Sequence, residues 1–397
     1  MEKVYIIARL YTPFYKAFKE NKFYHTGSPA YYNFIKFIDN KTDIDYEIIF
    51  LGDKTNSLLF QNKSYKLENL NKPIKFIPYK NIFSNNKFVK IEIILNKLYQ
   101  YFYLIKTLKS NCIYYIDREN IPLGLFLKFK KGLICYRVLG ITQKVYNILF
   151  KRNDLVNYIF KKSLNLKNAI IISSNDGSWA EKTKKEIENK NFYLLFNGVD
   201  YKFLPKSLEN KKTFTISYIS RLEEGKGHFD FLNIIKGVVE KGISNIKINI
   251  IGDGNLKNEI IKKAKDYNIY EYINFTNSIN HQQIELYLEK TDLLVSLNYF
   301  GILGNNVLEA TSKSIPILAL DNENVSEEYK KYFYLIKKNN LQEGITFICN
   351  LIESPNVYKE YINKSQIFFN THISNWDERI SKEFNIIKNQ YLKLKDN

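Results

Sequence analysis

Short apolar runs rich in β-branched and aromatic residues alternate with longer amphipathic stretches over nearly the whole chain. This alternation is typical of α/β proteins, in which strands covered by helices on both faces read as continuous apolar segments. The predicted strands of the first half are Val4–Ala8, Tyr46–Leu51, Lys75–Pro78, Ile113–Ile116, Leu133–Val138, Ala169–Ser173 and Tyr193–Phe196. Those of the second half are Thr215–Ile219, Lys247–Ile251, Ile273–Phe275, Leu293–Ser296 and Ile317–Leu320. The pattern predicts two doubly wound parallel sheets in series.

A polar, lysine-rich stretch at Pro205–Thr213 separates the two blocks. We therefore predict a first domain over residues 1–204, a second over residues 205–374, and a final helix within 375–397 that packs back on the first domain. Sheets of this kind bind ligands at the carboxyl ends of their strands, where loops enter helix N-termini. The loops of the second block are the places to look for chemistry.

Charge is distributed unevenly along the chain. Residues 1–200 carry 33 Lys and Arg against 17 Asp and Glu, a balance of +16, whereas the remaining residues carry 26 against 24, a balance of +2. A one-sided basic half predicts an anionic partner, which is a membrane surface, a lipid-diphosphate acceptor or nucleic acid. No helix-turn-helix, RNA-binding or zinc-finger motif is present, so we expect no nucleic-acid partner.

The three cysteines have neither metal-ligand nor disulfide-framework spacing, and no apolar run is long enough to span a bilayer. We therefore expect a cytoplasmic protein that binds peripherally to the inner face of the membrane.

Three loops of the second block carry candidate chemistry. After the strand Thr215–Ile219, Arg221 and Lys226 flank a glycine and can converge on one anionic group, although the segment also fits a solvated mixed-charge turn. Gly252 follows the next strand in a Gly-Asp-Gly turn, which alone is a weak signal.

The third loop places Gly301 and Gly304 just before a predicted helix. Free N–H groups at a helix start, here of Asn305 and Asn306, can face a diphosphate. Glu309 follows about one turn later, where it is either a ligand of ribose hydroxyls or an exposed helix carboxylate.

Taken together, these segments resemble one family, the retaining GT-B glycosyltransferases of group 1 (family 4 type) that include many bacterial lipopolysaccharide and capsule enzymes. The resemblance is clearest over residues 214–321. The matching segments are Ile219–Gly227, Ile250–Gly254, Ile273–Asn277, Thr291–Ser296, Gly304–Glu309 with Ile315-Pro316, and the turn Asn197–Asp200 that ends the first domain.

The resemblance implies two Rossmann-like domains facing across a cleft. It also implies transfer of a sugar from a nucleoside-diphosphate-sugar donor, with retention of configuration, to a hydroxyl of a cell-surface glycan or lipid-linked glycan. No metal and no cofactor are expected. The catalytic residues implied are Arg221, Lys226 and Glu309. The donor-binding residues implied are Gly27, Ser28, Gly252, Asn277, Gly301, Gly304, Asn305, Asn306 and Val307, with His25 and Arg137 on the acceptor side.

The sequence also departs from the family pattern. The family's paired acidic motif is Glu, seven residues, then Glu, and counting back from Glu309 gives Gly301. The upstream carboxylate, which contacts the transferred sugar in the family, is absent, and Leu139 stands where the family often has a histidine. These departures leave a second hypothesis open, a catalytically degenerate protein that binds a nucleotide or a partner subunit.

Overall fold

The structure is a computed structural model that describes residues 3–24, 27–80, 89–200 and 212–396. The chain divides into two compact units. The first contains residues 1–174, 183–195 and 377–397, and the second contains residues 175–182 and 196–376. The predicted domain boundary after residue 204 lies outside the described residues.

The first unit is built on an eight-stranded sheet in the order β3-β4-β2-β1-β5-β6-β7-β8, parallel throughout except for the short edge strand β3. The strands are β1 (Val4–Arg9), β2 (Tyr46–Leu51), β3 (Ser64–Tyr65), β4 (Ile74–Ile77), β5 (Ile113–Asp117), β6 (Leu133–Val138), β7 (Ala169–Ser174) and β8 (Phe192–Leu195). The central strands are buried along almost their whole length, as expected for strands covered on both faces. The helices are α1 (Tyr15–Lys19), α2 (Pro29–Asp39), α3 (Asn56–Leu59), α4 (Val89–Thr107), α5 (Leu123–Leu127), α6 (Gln143–Phe150) and α7 (Leu155–Leu164). Helix α8 (Ala180–Glu186) begins in residues assigned to the second unit and ends in residues assigned to the first.

The second unit has a six-stranded parallel sheet in the order β11-β10-β9-β12-β13-β14. Its strands are β9 (Phe214–Ile219), β10 (Ile246–Ile251), β11 (Ile273–Thr276), β12 (Leu293–Ser296), β13 (Ile317–Leu320) and β14 (Tyr334–Ile336). Its helices are α9 (His228–Glu240), α10 (Lys257–Asp266), α11 (His281–Lys290), α12 (Asn305–Ser312), α13 (Glu327–Lys330), α14 (Leu341–Glu353) and α15 (Pro355–His372). The prediction of two doubly wound Rossmann-like units is confirmed.

The final helix, α16 (Trp376–Lys395), packs almost entirely within the first unit, and a buried ion cluster joins it to the sheet. Glu383 of α16 lies 3.3 Å from the guanidinium of Arg137 on β6, pairs with Arg379 and accepts a hydrogen bond from Tyr115 at 2.7 Å. Burial alone would raise the pKa of Glu383, but the two guanidinium groups outweigh it and hold the pKa below its usual value.

This cluster changes the interpretation of Arg137, which was predicted to face an acceptor. Its side chain has no solvent-exposed surface, and the guanidinium also donates to the carbonyl of Val138 at 2.8 Å. A buried charge needs a partner of opposite sign, and Glu383 supplies it. Arg137 therefore forms a buried ion pair with Glu383 and does not face an acceptor.

Candidate active site

A polar cavity lies where the connections of the second sheet reverse direction. From β9 the chain proceeds outward to β10 and β11, then returns to the other side of β9 with β12. Such a reversal opens a crevice at the carboxyl ends of the two central strands. The cavity, of about 160 Å³, is lined by Tyr218, Ile219, Ser220, Arg221, Lys226, Val295, Ser296, Asn298, Gly304 and Asn306.

The loop that follows β9 is held in place by contacts of its backbone. The hydroxyl of Tyr218 donates to the carbonyl of Lys226, and a ring nitrogen of His228 lies 3.0 Å from the carbonyl of Arg221. Gly225 has φ +77°, and a Cβ there would lie 2.3 Å from the ring of Phe300. Both the conformation and the contact require glycine, and together they direct Lys226 into the cavity.

Lys226 and Arg221 have different surroundings. The ammonium of Lys226 is part-buried, 3.4 Å from Oδ1 of Asn298, and burial followed by the charge of Arg221 lowers its pKa. The side chain of Arg221 is 71% exposed and lies 3.0 Å from Glu223. A charge removed from water interacts more strongly with an incoming anion, so Lys226 is the stronger candidate for a phosphate contact.

The start of α12 forms the opposite wall. The N–H groups of Val307 and Leu308 both donate to the carbonyl of Gly304, at 2.9 and 3.1 Å, which leaves those of Asn305 and Asn306 without an intrahelical partner. Because the Val307 N–H is bonded and its side chain is buried in the core, Val307 supports the helix instead of contacting a donor.

The asparagine side chains fix this helix start. Nδ2 of Asn306 donates to the carbonyl of Ile219 at 2.9 Å, and Oδ1 of Asn305 accepts from Asn197 at 2.7 Å. The first contact ties α12 to the end of β9. The helix start therefore presents its backbone N–H groups and positive dipole end beside the loop of Lys226.

Glu309 lies on the second turn of α12 and is buried, with a side chain only 11% exposed. Burial, and to a smaller extent the charge of Glu285, raises its pKa to about 8. The ring of His281 is 3.6 Å away. Glu309 does not line the cavity described above, so a ligand that bridges Lys226 and Glu309 must extend beyond it.

Two further predicted donor residues lie at the ends of neighbouring strands. Gly252 follows β10, where its N–H donates to the carbonyl of Thr276 at 3.0 Å. Asn277 follows β11, is exposed, and its side chain accepts a hydrogen bond from Lys257. Neither residue lines the cavity, and their proposed contacts with a base remain predictions.

Comparison with known proteins agrees with this geometry. Residues 200–367 match the family described as glycosyl transferases group 1. The chain is 25% identical over 272 residues to an uncharacterized glycosyltransferase of Haemophilus influenzae, covering 66% of this chain and 73% of that protein. The family match falls on the second unit, which contains the cavity described above.

Two further matches have a lower sequence identity. The chain is 22% identical over 222 residues to a Campylobacter jejuni protein named N-acetylgalactosamine-N,N'-diacetylbacillosaminyl-diphospho-undecaprenol 4-alpha-N-acetylgalactosaminyltransferase. This match spans 54% of the chain and 59% of that protein, which is less than two thirds of the relative's length. The structure of HepE from Anabaena in complex with UDP superimposes with a TM-score of 0.67 at 13% identity, covering 98% of this chain and 100% of that one. This likeness confirms the GT-B fold.

Gly301 stands where the family pattern has a glutamate, and the packing around Gly301 explains why no side chain is present at this position. A Cβ at Gly301 would lie 2.8 Å from the carbonyl oxygen of Asp176 and about as close to backbone atoms of Gly177 and Ser178. The loop that begins at Asp176 thus occupies the space that a glutamate would need. The N–H of Leu303 donates to the same carbonyl at 3.1 Å, which holds the two loops together.

Replacing Gly301 with alanine should therefore destabilise the protein. The carbonyl of Asp176 would have to move, and overpacking of this kind costs about 1–3 kcal/mol. For a unit of this size that corresponds to a fall in melting temperature of roughly 2–4 °C per kcal/mol, measurable by calorimetry. Gly27→Ala is the matched control, because a Cβ at Gly27 meets nothing closer than 3.5 Å. An unchanged melting temperature for Gly301→Ala would show that the loop is not closely packed.

Asp176 was missed by the sequence analysis. Its carboxylate contributes to the electrostatic surroundings of Lys226, tending to raise that pKa. The signal available in the sequence was the polar run Ser173–Ser178 after an apolar strand, a pattern typical of a ligand-binding strand end.

The remaining predicted residues belong to the first unit. Gly27 and Ser28 lie at the start of α2, with Gly27 exposed and Ser28 buried. His25 lies outside the described residues. Their contacts with a donor or acceptor remain predictions.

A second cavity, in the first unit, was not predicted. Its volume is about 230 Å³, and it lies beyond the carboxyl ends of β2 and β4. The lining residues are Gly52, Asp53, Lys54, Thr55, Tyr79, Val89, Ile93, Asn96, Lys97 and Gln100. Among the lining residues, Oε1 of Gln100 is buried without a hydrogen-bond partner.

Within residues 3–24, 27–80, 89–200 and 212–396, no three His, Cys, Asp or Glu side chains are grouped as metal ligands. Within the same ranges, no helix has the length and apolar character needed to cross a membrane.

Proposed function

We propose that this protein is a group 1 glycosyl transferase that moves a sugar from a nucleoside-diphosphate-sugar to a hydroxyl of a glycan or lipid-linked glycan of the bacterial cell surface. One observation carries the proposal. Lys226, Arg221 and the start of α12 meet around one cavity at the switch point of the second sheet.

The reaction needs positive potential where the leaving diphosphate gains charge as the glycosidic bond breaks. Lys226 and Arg221 offer cationic groups, and the N–H groups of Asn305 and Asn306 offer donors that need no reorganisation. We therefore propose that the donor's diphosphate binds here without a metal ion and without a further cofactor. Glu309 would then accept hydrogen bonds from the ribose.

Retention of configuration forms part of the proposal. The Campylobacter jejuni relative is named for an alpha linkage, and an alpha product from an alpha-linked donor corresponds to retention. That name also contains a diphospho-undecaprenol-linked acceptor, which supports a lipid-linked acceptor for this chain. The cavity of the first unit, whose lining includes Asp53, Asn96 and Lys97, is the candidate place for such an acceptor.

The alternative is a protein that binds a nucleotide but transfers nothing, and the missing carboxylate at Gly301 favours it. Calorimetric titration with the diphosphates of uridine, guanosine, adenosine and cytidine, followed by hydrolysis assays with the matching nucleotide sugars, tests the proposal. We expect one nucleotide to bind and its sugar to be turned over. Binding without turnover of any donor would support the alternative, and the absence of binding would remove both.

A further inference from the structure

Helix α4 has its polarity reversed relative to a normal surface helix. A helix on the outside of a sheet normally buries its apolar side and presents polar residues to water. In α4 the buried positions include Glu92, Asn96 and Gln100, each no more than 1% exposed. Tyr101 and Leu104 are buried beside them, but eight other large hydrophobic residues of the helix are exposed.

The buried polar side is fixed by hydrogen bonds, so the reversal follows from specific contacts. Asn96 accepts from the N–H of Lys80 at 2.7 Å and donates to its carbonyl at 2.8 Å. Gln100 donates to the carbonyls of Gly52 and Ile77, at 2.9 and 3.2 Å. Rotating α4 to bury its apolar side would break these bonds and leave buried backbone groups unpaired.

The outward side is a continuous apolar stripe, which we call the α4 face. At 100° per residue, its members fall within about 100° of one another on the helix. They are Ile91 (50% exposed), Ile94 (60%), Leu95 (40%), Leu98 (37%) and Phe102 (55%). Of the 21 large hydrophobic residues that are exposed in the described part of the chain, eight lie on this one helix of 19 residues. A concentration of this kind marks an interaction surface.

The α4 face continues onto neighbouring helices and is surrounded by lysines. The ring of Phe102 is 6.0 Å from that of Phe126 on α5, and α5 also packs against α7. Phe129, just after α5, is 77% exposed, with the ammonium of Lys128 4.7 Å from its ring centre. Lys80 is 4.0 Å from the ring centre of Tyr99 in the same way.

The net charge of the chain around the α4 face indicates what kind of partner the face binds. Residues 89–162, from α4 to α7, contain 14 Lys and Arg against 4 Asp and Glu, a balance of +10. A second copy would bring two basic faces together and be repelled. A bilayer with anionic headgroups satisfies both features, since it accepts apolar side chains below the headgroups and attracts the lysines around them.

We infer that the α4 face inserts into the headgroup region of an anionic membrane. The inference deepens the proposed function, on which it rests for the lipid-linked acceptor, because it places the cavity lined by the inner side of α4 next to the bilayer surface. An acceptor sugar anchored by a lipid would then reach that cavity without leaving the membrane.

Sedimentation of the full-length protein with vesicles tests the inference. Wild type should bind vesicles of equimolar phosphatidylglycerol and phosphatidylcholine and should bind phosphatidylcholine alone at least tenfold more weakly. Ile94→Glu should lower the affinity for the anionic vesicles by at least about tenfold, because it replaces an apolar side chain that inserts below the headgroups with a charged one that anionic lipids repel. The matched control is Ile367→Glu, at a residue 52% exposed on α15 of the second unit, which should bind as wild type does.

Insertion has a second signature that simple electrostatic attraction lacks. Tryptophan introduced as Ile94→Trp should be quenched by brominated lipids in the anionic vesicles, whereas Ile367→Trp should not. Ile94→Glu binding as tightly as wild type, or an unquenched Ile94→Trp, would overturn the inference. A wild-type dimer that Ile94→Glu makes monomeric, with no vesicle binding by either, would show that a second copy covers the α4 face and would also overturn it.

UDP titration separates this inference from the proposed function. Ile94→Glu should bind UDP as wild type does, since α4 contributes nothing to the cavity of Lys226. If the wild type binds vesicles but binds no nucleotide, the inference about the α4 face stands and the proposed donor site is wrong.

Discussion

The affinity for the nucleoside diphosphate identified by the binding screen should fall between roughly tenfold and about 150-fold when Lys226 is replaced by alanine. The reason is the position of its ammonium, which is part-buried beside Asn298 and faces the start of α12. A hydrogen bond to a charged group contributes about 1.5–3 kcal/mol, and partial burial strengthens the attraction to a phosphate. Isothermal titration calorimetry measures the change directly.

Two comparisons make the result specific to this position. Lys262→Ala removes an exposed lysine of α10 and should leave the affinity unchanged. Arg221→Ala should weaken binding less than Lys226→Ala, because its side chain is 71% exposed and already paired with Glu223. Equal affinity in wild type and Lys226→Ala would exclude this loop as the diphosphate site.

Glu309→Gln should reduce sugar transfer by about 10- to 150-fold. In assays at pH 9, above the pKa of about 8, the side chain of Glu309 is ionised. The substitution then keeps the shape of the side chain but replaces a charged acceptor of ribose hydrogen bonds with a neutral one, a loss of about 1.5–3 kcal/mol. Initial rates with the donor that the binding screen identifies provide the measurement. Glu240→Gln, the same kind of change at a side chain 63% exposed at the end of α9, serves as the control. Equal rates for wild type and Glu309→Gln would exclude a donor contact at this residue.

The same substitution should change how stability depends on pH. The pKa of Glu309 is about 8 in the folded protein against an ordinary value of 4.5, because the side chain is buried. Between these values the unfolded chain loses the proton that the folded protein keeps. The free energy of unfolding therefore falls as pH rises between these two pKa values, by up to about 1.4 kcal/mol per pH unit. The stability that comes from keeping Glu309 buried and neutral is fully present below the unfolded pKa and is lost as pH rises through the folded pKa. Chemical denaturation between pH 5 and pH 8 should show less of a fall for Glu309→Gln than for wild type. An identical pH dependence would contradict the buried, protonated state of Glu309.

The predicted strands are largely where the structure has them because each is a continuous apolar run. Ile113–Asp117 and Leu133–Val138 are buried at every position, so no alternation was needed to recognise them. The elements that were missed have weaker local signals. Strand β3 is two residues long and exposed at one of them, and β14 is three residues with only Ile336 buried.

In the candidate site, too, some residues could be predicted from the local sequence, whereas others are brought together only by tertiary packing. Lys226 and Gly304 follow predicted strands, and parallel strand ends meet at one edge, so their proximity could be anticipated. The position of Asp176 could not, because its loop reaches Gly301 through tertiary packing across more than a hundred residues. The burial of Arg137 was equally hidden, since it depends on Glu383 of the final helix.

The reversed polarity of α4 shows a limit of periodicity itself. Apolar and polar residues are mixed along α4, and an amphipathic pattern does not state which side of a helix faces the sheet. Asn96 and Gln100 decide this through backbone carbonyls that only the folded sheet supplies.

The central claim is that a donor is cleaved at the cavity between β9, β12 and the start of α12. The most direct test is release of the nucleoside diphosphate from its sugar nucleotide, measured for wild type, Lys226→Ala and Glu309→Gln with the donor that binds most tightly. We predict turnover by the wild type and a loss of at least about tenfold in each variant. The claim would be contradicted by a folded wild type that binds the nucleotide but does not cleave the sugar nucleotide. Variants that cleave it at the wild-type rate would also contradict the claim.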